Sequence, residues 1–270
     1  MRTDGYRTLR LRVEDGVAVA TLDHPPVNLL DAAMIGDLDR LGREADADDA
    51  VRVLVLQSAD PEFFVAHADV GLILALPPAP PPEPGPSPFH RIVDRFRTMP
   101  KATIAKVEGI CRGGGCELAL SFDMRFAARG RAVFAQPEVA LGILPGGSGT
   151  QRLPRLLGRG RALEVVLGAG DVPAELAEHW GLVNRALPPA ELGAFVERLA
   201  RRIASCPPGA IARAKAAVLA AEPPLAPGLA EESRLFAECL ADPEARRRMQ
   251  AFLAAGGQTR DVERRLGGVL

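Results

Sequence analysis

Ile104-Ala105-Lys106-Val107-Glu108-Gly109-Ile110-Cys111-Arg112-Gly113-Gly114-Gly115-Cys116-Glu117-Leu118 is the stretch that decides the fold. Residues 103–107 read as a strand ending at Glu108-Gly109, and a helix begins near Cys116. Three glycines lie between them. Glycine lets backbone approach a ligand closely, and N–H groups at a helix start point outward toward negative charge. The turn has the form of an anion or oxyanion site, although tight packing alone also produces such turns. It matches neither G-x-G-x-x-G nor a P-loop, which would need G-K-[ST].

Working outward, Leu9, Leu11 and Val13 alternate up to Asp15-Gly16, and Val17, Val19 and Thr21 alternate after it, so a hairpin opens the chain. A helix follows from Asp31 as N-cap, with Met34, Ile35, Leu38 and Leu41 on one face. Residues 51–56 read as a buried strand and 63–76 as a loop with a short apolar helix. Residues 77–88 hold eight prolines, too many for a helix or sheet interior, and read as an exposed loop. Further on, Ile92, Val93 and Phe96 suggest a short helix, and 124–128 and 133–135 a strand pair. The loop 137–149 then leads into a helix over 151–157. Strands interleaved with helices indicate an α/β core. From Pro189 the pattern is helical, broken at Pro207-Pro208, Pro223-Pro224 and Pro243. We divide the chain into a core over 1–195 and a helical region over 196–270.

Composition narrows the function. The 270 residues carry 33 basic and 34 acidic side chains, a net charge of −1, which argues against a dedicated nucleic-acid binder. At 47% hydrophobic and 25% charged the chain is globular in profile. The start MRTDGYRTLR lacks the apolar run of a signal peptide, and no stretch is long enough for a membrane span, so a cytoplasmic location is expected. Cys111, Cys116, Cys206 and Cys239 are too irregularly spaced for a disulfide framework or a metal site. Lysine occurs only at 101, 106 and 215, so phosphates would be held by arginine.

Two carboxylates stand out. Glu117 lies among Cys116, Leu118, Ala119, Leu120 and Phe122, an apolar setting in which an isolated acid is costly unless paired or used. Taken alone it also reads as an ordinary first-turn acid. Glu138 ends Phe134-Ala135-Gln136-Pro137-Glu138 in a second apolar setting. Two acids on neighbouring strand-end loops could share one water or one substrate carbon, as acid–base chemistry requires. The alternative for Glu138 is a salt bridge to an arginine.

These segments, together with Asp60-Pro61-Glu62-Phe63-Phe64-Val65-Ala66-His67-Ala68-Asp69, Pro25-Pro26-Val27-Asn28 and Pro145-Gly146-Gly147-Ser148-Gly149-Thr150-Gln151-Arg152-Leu153, resemble the enoyl-CoA hydratase/isomerase (crotonase) superfamily. The likeness runs from the hairpin to about residue 185. It implies a spiral of ββα units with a C-terminal helical trimerisation domain, assembled as a trimer or a dimer of trimers. It also implies an acyl-CoA thioester substrate and no separate cofactor. By motif, the backbone N–H groups of Ala66 and Gly114 would form the oxyanion hole. Residues Ala66, His67, Ala68, Asp69, Gly114, Pro137 and Gly146 would line the substrate and coenzyme A path. Glu117 would orient or deprotonate the attacking water, and Glu138 would exchange a proton with the α-carbon. Having both glutamates favours hydration of a 2-trans-enoyl-CoA over isomerisation.

His67 stands where the family commonly has glycine. If that position needs a positive φ, histidine would re-aim the first oxyanion donor. Otherwise the ring either reaches toward the coenzyme A or a neighbouring loop, or is simply a solvent-facing or hydrogen-bonded histidine. Gly146-Gly147-Ser148-Gly149-Thr150 fails as a nucleophile elbow at Thr150, so Ser148 reads as a helix N-cap. A non-enzymatic RNA-binding homologue is the rival of a different class. Its only dense basic run is Arg246-Arg247-Arg248.

Overall fold

A computed structural model describes residues 1–77 and 85–268. In chain order the elements are β1 (Leu9–Glu14), β2 (Val17–Leu22), α1 (Ala32–Ala47), β3 (Val53–Ser58), β4 (Phe63–Val65), α2 (Val70–Leu74) and α3 (Pro88–Thr98). Then come β5 (Ala102–Val107), β6 (Ile110–Arg112), α4 (Gly114–Leu120), β7 (Met124–Ala128), β8 (Val133–Ala135), a 3-10 turn (Glu138–Leu141), α5 (Gly149–Leu157) and α6 (Arg159–Gly168). The remainder is β9 (Val172–Pro173), α7 (Ala174–Trp180), β10 (Arg185–Leu187), α8 (Pro189–Ala204), α9 (Pro208–Leu219), α10 (Ala226–Ala241), α11 (Pro243–Ala254) and α12 (Arg260–Arg265). Most of the proline-rich stretch expected as an exposed loop lies outside the described residues.

The strands form two sheets, ordered β1-β2-β3-β5-β7-β10 and β4-β6-β8-β9. Among the described residues, only β1 with β2 and β8 with β9 run antiparallel. The β1–β2 turn has Asp15 at φ +49° and Gly16 at +80°, the paired left-handed geometry that makes Asp-Gly a tight hairpin turn. After the hairpin the chain repeats one pattern: a strand of the large sheet, a bend, a strand of the small sheet, then helix. Thus β3 feeds β4, β5 feeds β6 and β7 feeds β8, which gives the ββα spiral the resemblance implies. The bend at Gly109 requires glycine, because a Cβ there would lie 2.2 Å from the Glu62 carbonyl oxygen.

Burial explains the sequence patterns. Asp31 caps α1 by accepting from the Met34 N–H at 2.9 Å, and Met34, Leu38 and Leu41 face the core while Ile35 is half-buried. Strand β3 is apolar through four residues because it pairs with parallel neighbours on both sides. Leu192, Val196, Ala200 and Ala204 of α8, spaced four apart, cover Val53, Val55, Ile104 and Phe126 on one face of the large sheet. That helix runs through position 195, so the chain passes from core to helical region without a break in structure. Helix α11 returns to the core: Ala245, Met249 and Phe252 pack with Val70, Leu141 and Ile143.

Candidate active site

Each of the three glycines at the start of α4 is needed for contact. Gly113 has φ +48°, and a Cβ on it would sit 2.7 Å from Glu138 Oε1. On Gly115 it would meet Val65 Cβ and the Val65 carbonyl oxygen, both at 2.6 Å. On Gly114 it would fall 3.2 Å from Ala68 Cβ and 3.6 Å from Ala68 N, so the chain at 114 lies against residue 68.

That contact corrects one expectation. The Ala66 N–H donates to the Val27 carbonyl at 3.2 Å and is committed to the fold. Beyond it, Leu30 takes the chain as a lone parallel bridge, donating to the His67 carbonyl at 3.0 Å and accepting from the Asp69 N–H at 3.1 Å. In such a bridge the intervening N–H points away. Among the described residues, neither the Ala68 nor the Gly114 N–H has an acceptor within the protein. Ala68 and Gly114 therefore offer a pair of free donors on adjoining stretches of chain.

Glu117 is buried in the first turn of α4, and its Oε1 accepts from the Gly147 and Gly149 N–H groups, each at 2.7 Å. Burial drives its pKa well above the usual carboxylate range; Glu138 and Glu232 push it the same way, and the two glycine N–H groups oppose them. Glu232 of α10 is buried and takes the intervening donors. Its Oε1 accepts from the Ser148 N–H at 2.7 Å, and its Oε2 from the Thr150 N–H at 3.1 Å and from the Thr150 hydroxyl. His90 Nε2 also lies 2.8 Å from Glu232 Oε1, while His90 Nδ1 accepts from the Ser87 N–H at 3.1 Å. The ring is therefore placed to donate to Glu232 through Nε2. Ser148 does occupy the position before α5, but with φ +99° and no side-chain cap bond; its Oγ accepts from Arg152 Nε at 2.7 Å instead. Glu232, reaching across from α10, does the capping.

Glu138 begins the 3-10 turn, and burial raises its pKa to about 8, with nearby His67 pulling the other way. Among the described residues no arginine pairs with it. With its amide nitrogen turned toward Glu138, Gln136 donates to both carboxylate oxygens at 2.9 and 3.1 Å. His67 is buried without a positive φ, so histidine is not strained there. Its Nδ1 lies 2.7 Å from the Ala68 carbonyl and its Nε2 3.1 Å from Glu263 Oε1. His67, Ala68, Pro137 and Glu138 border one cavity of about 30 Å³. Asp69 lies just beyond it as the α2 N-cap, accepting from Gly71 N–H and from Gln258 Nε2. Gly146 is set apart, packed beneath Phe236 with no room for a Cβ.

Residues 12–258 match the family model for enoyl-CoA hydratase/isomerase. The chain belongs to the enoyl-CoA hydratase/isomerase family. Among curated members of the crotonase family, it is 35% identical over 245 residues to the short-chain-enoyl-CoA hydratase of Clostridium acetobutylicum, covering 90% of this chain and 93% of that one. It is 34% identical over 250 residues to the crotonyl-CoA hydratase of Syntrophomonas wolfei, covering 92% and 95%. A solved Streptomyces avermitilis protein ascribed to the enoyl-CoA hydratases superposes with a TM-score of 0.90 at 41% identity, over 98% of this chain and 97% of that one. Sequence and fold thus agree in placing the chain in the crotonase family.

Several residues of this crotonase site lie where motif reading does not reach. Glu232, His90, Glu263 and Phe252 come from outside the family motifs. One signal for Glu232 was legible: on α10 it shares the buried face with Leu229, Ser233 and Ala237, and an acid on an apolar helical stripe has to have a partner. The Arg246-Arg247-Arg248 run is largely spent within the fold. Arg247 and Arg248 pair with Glu244, and Arg246 donates to the Leu74 carbonyl.

Proposed function

We propose that this crotonase hydrates 2-trans-enoyl-CoA thioesters to 3-hydroxyacyl-CoA. The observation that carries this reading is the pair of buried acids, Glu117 and Glu138, each raised in pKa and close enough for Glu138 to perturb Glu117. Buried neighbouring acids share protons rather than both ionising, so one serves as base while the other serves as acid. In this reading Glu117, its ionised form supported by the two glycine N–H bonds, takes a proton from water as the water oxygen bonds to Cβ. Glu138 delivers its proton to Cα. The thioester oxygen, which carries the transient negative charge, is received by the N–H groups of Ala68 and Gly114; each such donor is worth about 3 kcal/mol in comparable sites. Water is added across the double bond; Glu117 then releases its proton to solvent and Glu138 takes one up, which restores the starting state.

We place the reaction in the cytoplasm and the working form as a homotrimer or a dimer of trimers, with residues 196–270 contributing to assembly. Large apolar side chains left exposed at Leu163, Leu167 and Val218 support association. Among the described residues no helix is long and apolar enough to cross a membrane.

The test is loss of conjugated-thioester absorbance with crotonyl-, octenoyl- and hexadecenoyl-CoA, with products identified. Glu117→Gln and Glu138→Gln should each lower kcat by about 10²-fold or more. Silence across all chain lengths, migration of the double bond instead of water uptake, or full activity in both variants would overturn the reading.

A further inference from the structure

The hydration chemistry leaves one buried ion pair without a task. His67 and Glu263 sit 196 positions apart in the chain, and both are buried. Both ring nitrogens of His67 face acceptors, the Ala68 carbonyl and Glu263 Oε1, so the ring donates from both and carries a proton. Glu263 Oε1 also accepts from the Gln258 N–H at 2.8 Å, and Arg112 Nη1 donates to the Glu263 carbonyl at 2.6 Å. Arg112 is itself held by a bidentate pair with Asp171, both contacts at 2.7 Å. Around this centre Arg260 pairs with Asp60 and Glu62, and Arg264 with Glu62. Gln258 Nε2 reaches Asp69 at 2.8 Å. The end of the chain is stitched onto the loop that holds the proposed oxyanion donor.

The stitched segment presents apolar side chains inward. Phe252 meets the His67 ring edge-on, with centroids 5.7 Å apart. Phe252 and Leu266, with Val70, Ile73, Leu141 and Ile143, wall the cavity onto which Glu138 opens. That cavity measures about 30 Å³, and a cavity needs about 10–15 Å³ to admit one water, so there is room for about two such groups.

We propose that His67 and Glu263 fasten Phe252 and Leu266 as the end wall of the acyl pocket, restricting the enzyme to short acyl groups. The proposal rests on the reading of this site as an acyl-CoA site. It makes His67 a specificity-determining residue through the wall it holds. Where the family's glycine stands, no side chain would reach Glu263.

Two measurements test it. For the reaction, kcat/KM is compared for crotonyl-CoA and 2-decenoyl-CoA, with a fall of tenfold or more expected for the longer chain. Phe252→Ala, Leu266→Ala and His67→Gly should each narrow that ratio at least fivefold, with thermal melts showing which variants are folded. For binding, butyryl-CoA and decanoyl-CoA are titrated calorimetrically, which requires no turnover. A ratio near one in the wild type, or an unmoved ratio in every folded variant, overturns the proposal. If no thioester is hydrated at any length, the hydratase reading fails on its own; tighter binding of butyryl-CoA would then still support the wall, and equal binding would overturn it.

Discussion

Glu117 and Glu232 accept hydrogen bonds from alternate residues of one tetrapeptide. Gly147 and Gly149 donate to Glu117, and Ser148 and Thr150 donate to Glu232. The loop is threaded between two buried carboxylates, one in the core at α4 and one on α10. Both alternating glycines are required, because a Cβ on Gly147 would lie 2.5 Å from Glu117 Oε2 and one on Gly149 3.0 Å from Glu117 Oε1. Glu232 therefore positions Glu117 without any role in bond making.

Replacing Glu232 by Gln keeps its size, removes its charge and leaves an acceptor on only one arm. The loop loosens, and of the influences that raise Glu117 burial and Glu138 remain while the smaller push from Glu232 disappears. Steady-state kinetics should show kcat falling about tenfold with KM little changed, about 1.4 kcal/mol of lost positioning. The limb of the pH profile assigned to Glu117 should move toward acid. A profile that keeps its position while kcat drops would mark Glu232 as purely structural.

Glu138 acts as a proton donor in the proposed reaction, and burial lifts its pKa to about 8. Turnover should therefore decline as the pH rises through about 8. Stopped-flow hydration of crotonyl-CoA from pH 6 to 10 checks this. A rate still climbing at pH 9 would reverse the roles of the two acids.

The same shift has a sign for stability. The unfolded chain releases the Glu138 proton near the ordinary value of 4.5, and the folded chain near 8. Between those values the native state holds a proton that the unfolded state lacks, so stability falls as pH rises and levels off above the upper value. Glu138→Gln has no such proton to lose. Its melting temperature relative to wild type should increase between pH 5 and pH 9, by roughly 2–4 °C for each kcal/mol in a chain of this size.

Gly115→Ala and Gly36→Ala should move stability in opposite directions. The first drives a methyl into the Val65 backbone at 2.6 Å, which cannot yield without shifting β4, and should cost about 1–3 kcal/mol. The second adds a methyl in the exposed interior of α1, with nothing within 4 Å, and should gain about 0.5–1 kcal/mol. Chemical denaturation of both variants checks the pair.

The opening hairpin, strand β3 and the helix that carries Glu117 were legible because their signals are local: Asp15-Gly16 for a two-residue turn, an unbroken apolar run in β3, three glycines at the start of α4. Both acids were visible for the same reason, as charges in apolar surroundings. The choice between Ala66 and Ala68 was not, because which N–H is free depends on Val27 and Leu30, residues that reach this loop only through the fold. Ser148 misled because a serine before a helix usually caps with its own hydroxyl, whereas Glu232 supplies those bonds from 82 and 84 positions away. His67 could be seen to be unusual, but its partner Glu263 lies near the far end of the chain, where the family pattern fades.

The stitching of residues 252–266 onto the 60–69 loop also fixes an order of events during synthesis. The ββα core emerges from the ribosome first, with Glu117, Glu138 and the Gly114 donor already in it. Until Glu232 and Glu263 follow, the 147–150 loop is braced from one side only and the cavity beside Glu138 is without its pinned wall. On the proposed reading, competence and chain-length selectivity arrive together, with helices made after the core.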